Sequence, residues 1–275
     1  RPPRSTRFPY TTLFRSDVTD AALGLTRDLD LVVTAFEYGD KVLENWDFEA
    51  TPFSANWTLV EAVAGDVKVN GGLNIAGGST QCAFLSTINN RMFQSPPMGL
   101  EDFTIEFYFA LTNPAVRALN FRVFSNAAAT GTEIVTFKIE NGVLWTYSGA
   151  WRSLISGLVL AASVDFNGDG ILDPVGSHPS DVRNVYRMRL SGRGFGTAGA
   201  EYDVAVLAED GTPLGSAIDQ TLWQTPTPAT SNRAWAVEFN SANGATTFRV
   251  DDVSYVWNAP VVVNDYEDWV DSIPD

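Results

Sequence analysis

The sequence predicts an all-β protein, a two-layer antiparallel β-sandwich, from three observations. Apolar residues alternate with polar ones at a period of two, most clearly over residues 103–111. Such alternation is typical of a strand with one buried face. Turn dipeptides lie between the alternating runs, and no stretch shows the 3.6-residue period of an amphipathic helix. The runs that follow this rule contain Phe103, Ile105, Phe107, Phe109 and Leu111; Leu119, Phe121 and Val123; Val135, Phe137 and Ile139; Tyr186, Met188 and Leu190; Tyr202, Val204 and Val206; and Trp235, Val237 and Phe239.

Four dipeptides mark the expected hairpin turns. They are Asn-Gly at 70–71, 141–142 and 243–244, and Asp-Gly at 210–211. Asn, Asp and Gly tolerate the positive φ that tight two-residue turns require. In the last long strand, Phe248 and Val250 share a face with Val253 only if an extra residue enters near Asp251 and Asp252, so we expect a β-bulge there.

The chain divides into four segments. Residues 8–16 resemble a translated sequencing adapter, and we therefore expect residues 1–16 to be artefactual rather than part of the fold. Residues 17–44 form a leading segment, in which residues 29–33 are either an extra strand or the end of a preceding domain. Residues 45–258 form the β-sandwich domain, and residues 259–275 are an acidic tail or linker.

Composition excludes several classes of partner. The net charge of −15 disfavours nucleic acid and anionic membrane surfaces, because both would repel the chain. The longest apolar run, residues 158–164, is far shorter than the ~20 residues of a membrane-spanning helix, so we expect no membrane insertion. The single cysteine, Cys82, lies in an apolar run and is expected to be a small buried hydrophobe.

Residues 165–173 have the pattern of a calcium loop. Oxygen ligands recur at alternate positions around the turn glycine Gly170, as they do in calcium-binding loops. Position twelve is Gly176, where an EF-hand has glutamate, so a sixth ligand must come from elsewhere. We expect Ca²⁺ to have a structural role, neutralising the three aspartates. The predicted ligands are Asp165, Asn167, Asp169, the carbonyl of Ile171, and Asp173.

Four aromatic residues are the candidates for a glycan site. Trp145 and Tyr147 alternate onto one face after the turn at 141–142, Trp151 follows in an expected loop, and Trp223 lies in a loop rich in Pro and Thr. Aromatic rings are the usual floor of a sugar site, because a pyranose presents apolar C–H groups to them. For Trp145 and Tyr147, an interpretation as core residues is favoured over exposure. Trp151 and Trp223, flanked by polar and loop-forming residues, are expected to be exposed.

No catalytic residue is assigned, and we expect the protein not to be an enzyme. Glu44, Asp47 and Glu49 are the nearest approach to the paired carboxylates of glycan hydrolases. Their spacing puts Glu44 on the opposite face of a strand from the other two. The only histidine, His178, lies in a loop, and one histidine excludes a multi-histidine zinc site.

Three segments resemble the concanavalin A-like or laminin-G-like β-sandwich modules. Residues 45–49 look like their opening strand, residues 100–109 like a sandwich strand after Asp-Phe-Thr, and residues 248–255 like their closing strand. The tail at 265–270 resembles a segment of surface proteins from planctomycete-type and verrucomicrobial bacteria. The resemblance implies a concanavalin A-like jelly roll, a link to carbohydrate, an extracellular or cell-surface location and a larger multidomain chain.

Three functions remain open from the sequence. The first is a non-catalytic module that binds a polysaccharide or cell-surface glycan, or mediates adhesion, with Ca²⁺ holding a loop. The second is a glycan hydrolase or lyase of concanavalin-like fold, and the third is a purely structural spacer. An enzyme needs converging carboxylates in an aromatic-lined groove, a binding module needs exposed rings without them, and a spacer needs neither.

Overall fold

The computed structural model describes residues 11–20, 25–34, 43–52, 54–64, 66–71, 81–85, 90–117, 119–130, 132–164, 183–222, 233–241 and 247–257. Within these ranges every regular element is a strand, and no helix long and apolar enough to span a bilayer is present. The strands are β1 (Thr11–Asp20), β2 (Leu25–Thr34), β3 (Thr58–Val60), β4 (Val67–Gly71), β5 (Gln81–Leu85), β6 (Asn90–Gln94), β7 (Phe103–Leu111), β8 (Leu119–Phe124), β9 (Glu133–Glu140), β10 (Val143–Tyr147), β11 (Trp151–Ile155), β12 (Val185–Arg193), β13 (Glu201–Ala208), β14 (Pro213–Thr221), β15 (Val237–Ser241) and β16 (Phe248–Trp257).

The strands belong to two units. β1 and β2 pair with each other, antiparallel, in the smaller unit. β1 overlaps the residues that resemble a sequencing adapter, and its pairing does not bear on their origin. The other fourteen strands lie in the larger unit, Asp40–Trp257.

The larger unit consists of two antiparallel sheets of seven strands each. The first sheet has the order β11-β10-β9-β8-β15-β6-β3, and the second has the order β14-β13-β12-β7-β16-β5-β4. Strands distant in sequence lie side by side, as when β15 enters between β6 and β8. The predicted fold class, a two-layer antiparallel β-sandwich, is confirmed.

Aromatic side chains join the two sheets in a single core. Phe107 of β7 packs against Phe121 of β8 and Phe239 of β15, with ring centroids 5.0 and 4.9 Å away. Phe137 of β9 meets Tyr202 of β13 at 5.6 Å. These rings come from the alternating apolar positions of the sequence, which is how inner faces of packed sheets are built.

Several local predictions are confirmed. β7 has the predicted bounds, and the register between β16 and β7 shifts between Asp251 and Ser254, where the bulge was expected. Asn141 and Gly142 have φ of 54° and 69°, so both adopt the positive values that a tight turn between β9 and β10 needs. Gly211 has φ of 91° in the turn that follows β13.

Of the other two predicted turns, one is wrong and one cannot be compared with the structure. The dipeptide at 70–71 is not a turn, because Asn70 and Gly71 end β4 and pair with Cys82 and Gln81 of β5. The wrong prediction has a simple cause, since Asn-Gly favours a turn only where cross-strand pairing does not continue through it. The dipeptide at 243–244 lies outside the described residues.

The predicted opening strand at 45–49 is also wrong. Asn45 and Phe48 have positive φ, 50° and 57°, which is incompatible with a strand, and the segment is a turn. The Asn45 side chain stabilises it by accepting a hydrogen bond from the Ala50 amide, 2.9 Å, and donating one to the Ala55 carbonyl, 3.0 Å. Phe48 is fully buried against Trp57. Because residues 45–49 are not a strand, the face assignment of Glu44, Asp47 and Glu49 does not hold.

Candidate functional site

The side chains of β10 alternate between the core and the surface. Leu144 and Thr146 are buried, and Thr146 forms a hydrogen bond with the Tyr202 hydroxyl of the second sheet, 3.2 Å. Trp145 and Tyr147 therefore point to the outer face of the first sheet, where both are partly exposed. The favoured interpretation of these two residues as core is therefore wrong.

Trp151 joins them through a tight turn. The Ser148 amide donates to the Ala150 carbonyl, 3.0 Å, and Gly149 has φ of 82°, so the chain reverses at once into β11. Trp151 is thus the first residue of a strand rather than a loop residue, and it pairs directly with Tyr147. Their rings meet edge to face with centroids 5.3 Å apart. We call Trp145, Tyr147 and Trp151 the aromatic cluster.

Two cations lie against the aromatic cluster. Lys138 of β9 is the cross-strand partner of Trp145, and its Nζ lies 5.5 Å from the ring centroid of Trp145 and 4.7 Å from that of Trp151. The guanidinium carbon of Arg117 lies 4.9 Å from the Trp151 centroid. These distances are within the range of cation–π attraction. Lys138 also forms an ion pair with Glu140.

A row of polar side chains continues from the cluster across the same face. Lys138 is opposite Asn120 of β8, Asn120 is opposite Asn240 of β15, and Asn240 is opposite Arg91 of β6. Residues directly opposite one another share a face of the sheet. Arg117 donates from Nε to Asn120 Oδ1, 2.9 Å, which links the row to the cluster. The outer face of the first sheet therefore carries rings near one edge, with partly exposed cations and two buried amides, Asn120 and Asn240, beside them.

A buried carboxylate lies in the neighbouring row. Glu238 of β15 has a fully buried side chain and contacts Arg91 Nε at 2.6 Å and the Arg122 guanidinium at 3.4 Å. Burial raises the pKa of Glu238, against the opposing attraction of Arg122 and Arg91. Arg122 also pairs with Glu133 at 3.1 Å. These ion pairs connect four strands, β6, β15, β8 and β9, and they leave Glu238 without access to a substrate.

Sequence reasoning missed Arg117, Asn120, Glu238, Asn240 and Arg91. Four of them lie on strands, and their only sequence signal is polarity at alternate strand positions, which equally describes any solvated face; Arg117 precedes β8 and has no such pattern. They come together through the order of β10, β9, β8, β15 and β6, in which β15 and β6 are far from the others in sequence.

Two predicted features lie outside the described residues. They are Trp223 and the calcium loop with Asp165, Asn167, Asp169, Ile171 and Asp173. In the part of the chain that the structure describes, no group of three or more His, Cys, Asp or Glu side chains is placed to hold a metal ion. Cys82 is fully buried, as expected, and burial and the nearby Asp251 raise the pKa of its thiol.

Comparison with known proteins gives structural resemblance only. No protein-family model and no curated protein matches the chain. Cellulose induced protein Cip1 matches at 11% identity and a TM-score of 0.41, over 74% of this chain and 91% of the other. The CBM2 module of the evolved Dit of Lactobacillus casei BL23 phage J-1 matches at 14% identity and 0.41, over 77% and 93%. The receptor binding domain of botulinum neurotoxin mosaic serotype C/D matches at 10% identity and 0.38, over 73% of this chain and only 42% of the other. Resemblance at this level does not extend to function.

Proposed function

We propose that the domain is a non-catalytic module that binds glycans on the outer face of the first sheet. The observation that carries the proposal is the aromatic cluster: three partly exposed rings brought together by β10 and β11. Pyranose rings present apolar C–H faces that pack on aromatic side chains. The partly exposed cationic groups Arg117 and Lys138 beside the rings can donate hydrogen bonds that select and orient a ligand.

The position of the cluster favours binding over a purely structural role. Aromatic rings that only stabilise a sandwich lie between its sheets, as Phe107, Phe121 and Phe239 do. Trp145, Tyr147 and Trp151 lie on the other side of their strands, where they make no contribution to that core. Grouped, partly exposed rings of this kind are typical of an interaction site.

The described carboxylates of this face favour the non-catalytic alternative. Glu133 and Glu140 are at opposite ends of β9. At about 3.3 Å per residue, their Cα atoms are roughly 23 Å apart. Glycan hydrolases of the two-carboxylate type need their acids roughly 5 to 9.5 Å apart. Glu238 lies closer to Glu133 through their shared Arg122, but its side chain is fully buried.

The proposal also covers the location of the module and a bound metal ion. We propose that the module is extracellular or at a cell surface, as part of a larger chain, in line with the resemblance to concanavalin A-like modules. We also propose that Ca²⁺ binds the loop at 165–173 and stabilises it; the support is the donor set of three carboxylates, an amide and a carbonyl around Gly170.

A glycan array tests the function. The protein and the variant Trp145→Ala are applied to the same array, with Tyr108→Ala as the matched control. Tyr108 is a partly exposed ring on the outer face of the second sheet, with Arg187 5.4 Å from its centroid. We expect the parent protein and the control to bind the same glycans and Trp145→Ala to lose them. Release of reducing ends or unsaturated sugars from a bound glycan would instead establish an enzyme.

A further inference from the structure

Arg117 differs from most other arginines of the sandwich in its partners. Arg91, Arg122, Arg187, Arg189, Arg193 and Arg233 each form an ion pair with a glutamate or aspartate. Among the residues that the structure describes, no carboxylate lies within ion-pair distance of Arg117. Its contacts are Asn120 Oδ1 and the ring of Trp151. Arg152 also lacks an ion pair among the described residues and contacts Gln220, but of these two arginines only Arg117 lies against the aromatic cluster.

The environment of Arg117 disfavours its own charge. Partial burial lowers the pKa of Arg117, repulsion from Arg122 adds to the effect, and attraction to Glu140 and Glu133 opposes it. A partly desolvated guanidinium without a counter-charge is stabilised when an anion approaches it. The Asn120 contact uses Nε, so the two terminal nitrogens have no described hydrogen-bond acceptor. Those nitrogens form the fork that binds a carboxylate or sulfate in a bidentate manner.

A second positive charge lies nearby. Arg117 and Lys138 both lie within 5 Å of the Trp151 ring centroid. The two cations are therefore less than roughly 10 Å apart, about one Debye length at 0.1 M ionic strength. Glu140 partly compensates Lys138, whereas Arg117 has no such partner among the described residues.

We propose that the glycan bound at the aromatic cluster is acidic, and that Arg117 binds the carboxylate or sulfate of one sugar unit. This inference rests on the proposed glycan-binding function. The rings of Trp145 and Tyr147 receive the apolar face of the sugar, and Trp151 is a positioning residue that supports the guanidinium. Lys138 adds positive potential without direct pairing.

The acidity of the whole chain limits the size of the ligand. A net charge of −15 repels a long polyanion, but salt screens that repulsion beyond about 8 Å at physiological ionic strength. A short acidic oligosaccharide, or a single acidic unit in a largely neutral glycan, meets mainly the local charge of Arg117 and Lys138. We therefore expect acidic oligosaccharides to bind and densely charged polymers to bind less well.

Two matched pairs of probes test the proposal by calorimetric titration. The first pair is trigalacturonate and its methyl ester, which differ in the carboxylate charges and in the added ester methyl groups. The second pair is a sulfated galacto-oligosaccharide and its unsulfated parent. The variants are Arg117→Gln and, as control, Arg152→Gln. Arg152 is exposed on β11, and its described side-chain contact is Gln220, so the control removes the same charge from outside the cluster.

We expect the acidic member of at least one pair to bind about tenfold or more tightly than the neutral member. The preferred pair identifies the anion as a carboxylate or a sulfate. Arg117→Gln is expected to abolish the preference and retain binding of the neutral member, while Arg152→Gln leaves the preference intact. Equal affinity within both pairs, or a preference that survives in Arg117→Gln, overturns the acidic-ligand proposal and leaves glycan binding standing. Failure to bind any member of either pair, together with an array without hits, overturns both.

Discussion

Thr146 and Tyr202 form a hydrogen bond of 3.2 Å that joins the two sheets directly beneath the aromatic cluster. Both residues are buried, with 3% and 2% of their surface exposed. The bond ties β10, which carries Trp145 and Tyr147, to β13 of the opposite sheet. A strand near the edge of a sheet is thereby held in a fixed position, which a binding surface on its other side requires.

Tyr202→Phe is therefore expected to destabilise the sandwich. The substitution removes one buried hydrogen bond and leaves the Thr146 hydroxyl without a partner, which costs about 1–2 kcal/mol. Urea unfolding measures the change. In a double-mutant cycle with Thr146→Val, the two substitutions together should cost less than the sum of their separate effects. Strict additivity would show that the hydroxyls do not interact.

Gly192 is expected to tolerate no side chain. A Cβ at this position would lie 2.4 Å from ring atoms of Phe103 and 2.7 Å from Phe195, and both rings are part of the core. Gly192→Ala should lower the free energy of unfolding by about 1–3 kcal/mol through overpacking. The control is Gly199→Ala, whose Cβ would approach nothing closer than 3.9 Å. Equal stability of the two variants would contradict the packing described for β7 and β12.

Glu238 should give stability a particular pH dependence. Burial raises the pKa of Glu238 in the folded protein above its ordinary value of about 4.5. The folded protein therefore keeps the proton at pH values where the unfolded chain has lost it. The stability of the parent protein relative to Glu238→Gln should therefore fall as pH rises from about 4.5 through the folded-state pKa. Urea unfolding of both proteins between pH 4 and 8 measures this.

A matched control for this experiment is Glu101→Gln, since Glu101 is exposed and pairs with Arg233. A decline that Glu238→Gln removes and this variant retains is assigned to Glu238. Relative stability of the parent that instead rises with pH would mean that Arg91 and Arg122 outweigh the burial of Glu238.

Calcium removal should destabilise the protein if the loop at 165–173 binds it. At a Ca²⁺ concentration a hundred times the Kd, binding contributes about 2.7 kcal/mol, which for a domain of this size corresponds to roughly 5–10 °C in Tm. Thermal unfolding with Ca²⁺ and with a chelator measures the shift, and Asp169→Ala should abolish it. A Tm that is unchanged by the chelator would remove the metal proposal.

Much of the sandwich was predictable because its information is local. The alternation in residues 103–111 fixes both the bounds of β7 and the face that it buries, and the broken alternation at Asp251 locates the bulge. The turn at 141–142 is specified by two residues that accept positive φ. The strand predicted at residues 45–49 was wrong because alternating polar and aromatic residues also suit a turn when the asparagine side chain accepts a hydrogen bond from the backbone.

The site was predictable only in part. Trp145, Tyr147 and Trp151 are close in sequence, so their grouping follows from one hairpin. Their polar neighbours depend on the register of strands separated by more than a hundred residues, as for Asn120 and Asn240. Nothing local distinguishes these asparagines from solvated ones, and so the row across the first sheet emerges only from the fold.

The central claim, that the aromatic cluster binds a glycan, is tested most directly by calorimetric titration of the strongest array ligand into the parent protein, Trp145→Ala and Tyr108→Ala. Circular dichroism establishes first that all three proteins are folded. We predict that Trp145→Ala weakens binding at least tenfold, whereas Tyr108→Ala, with its ring on the opposite sheet, binds as the parent does. Unchanged affinity in Trp145→Ala, or an equal loss in Tyr108→Ala, would contradict the claim.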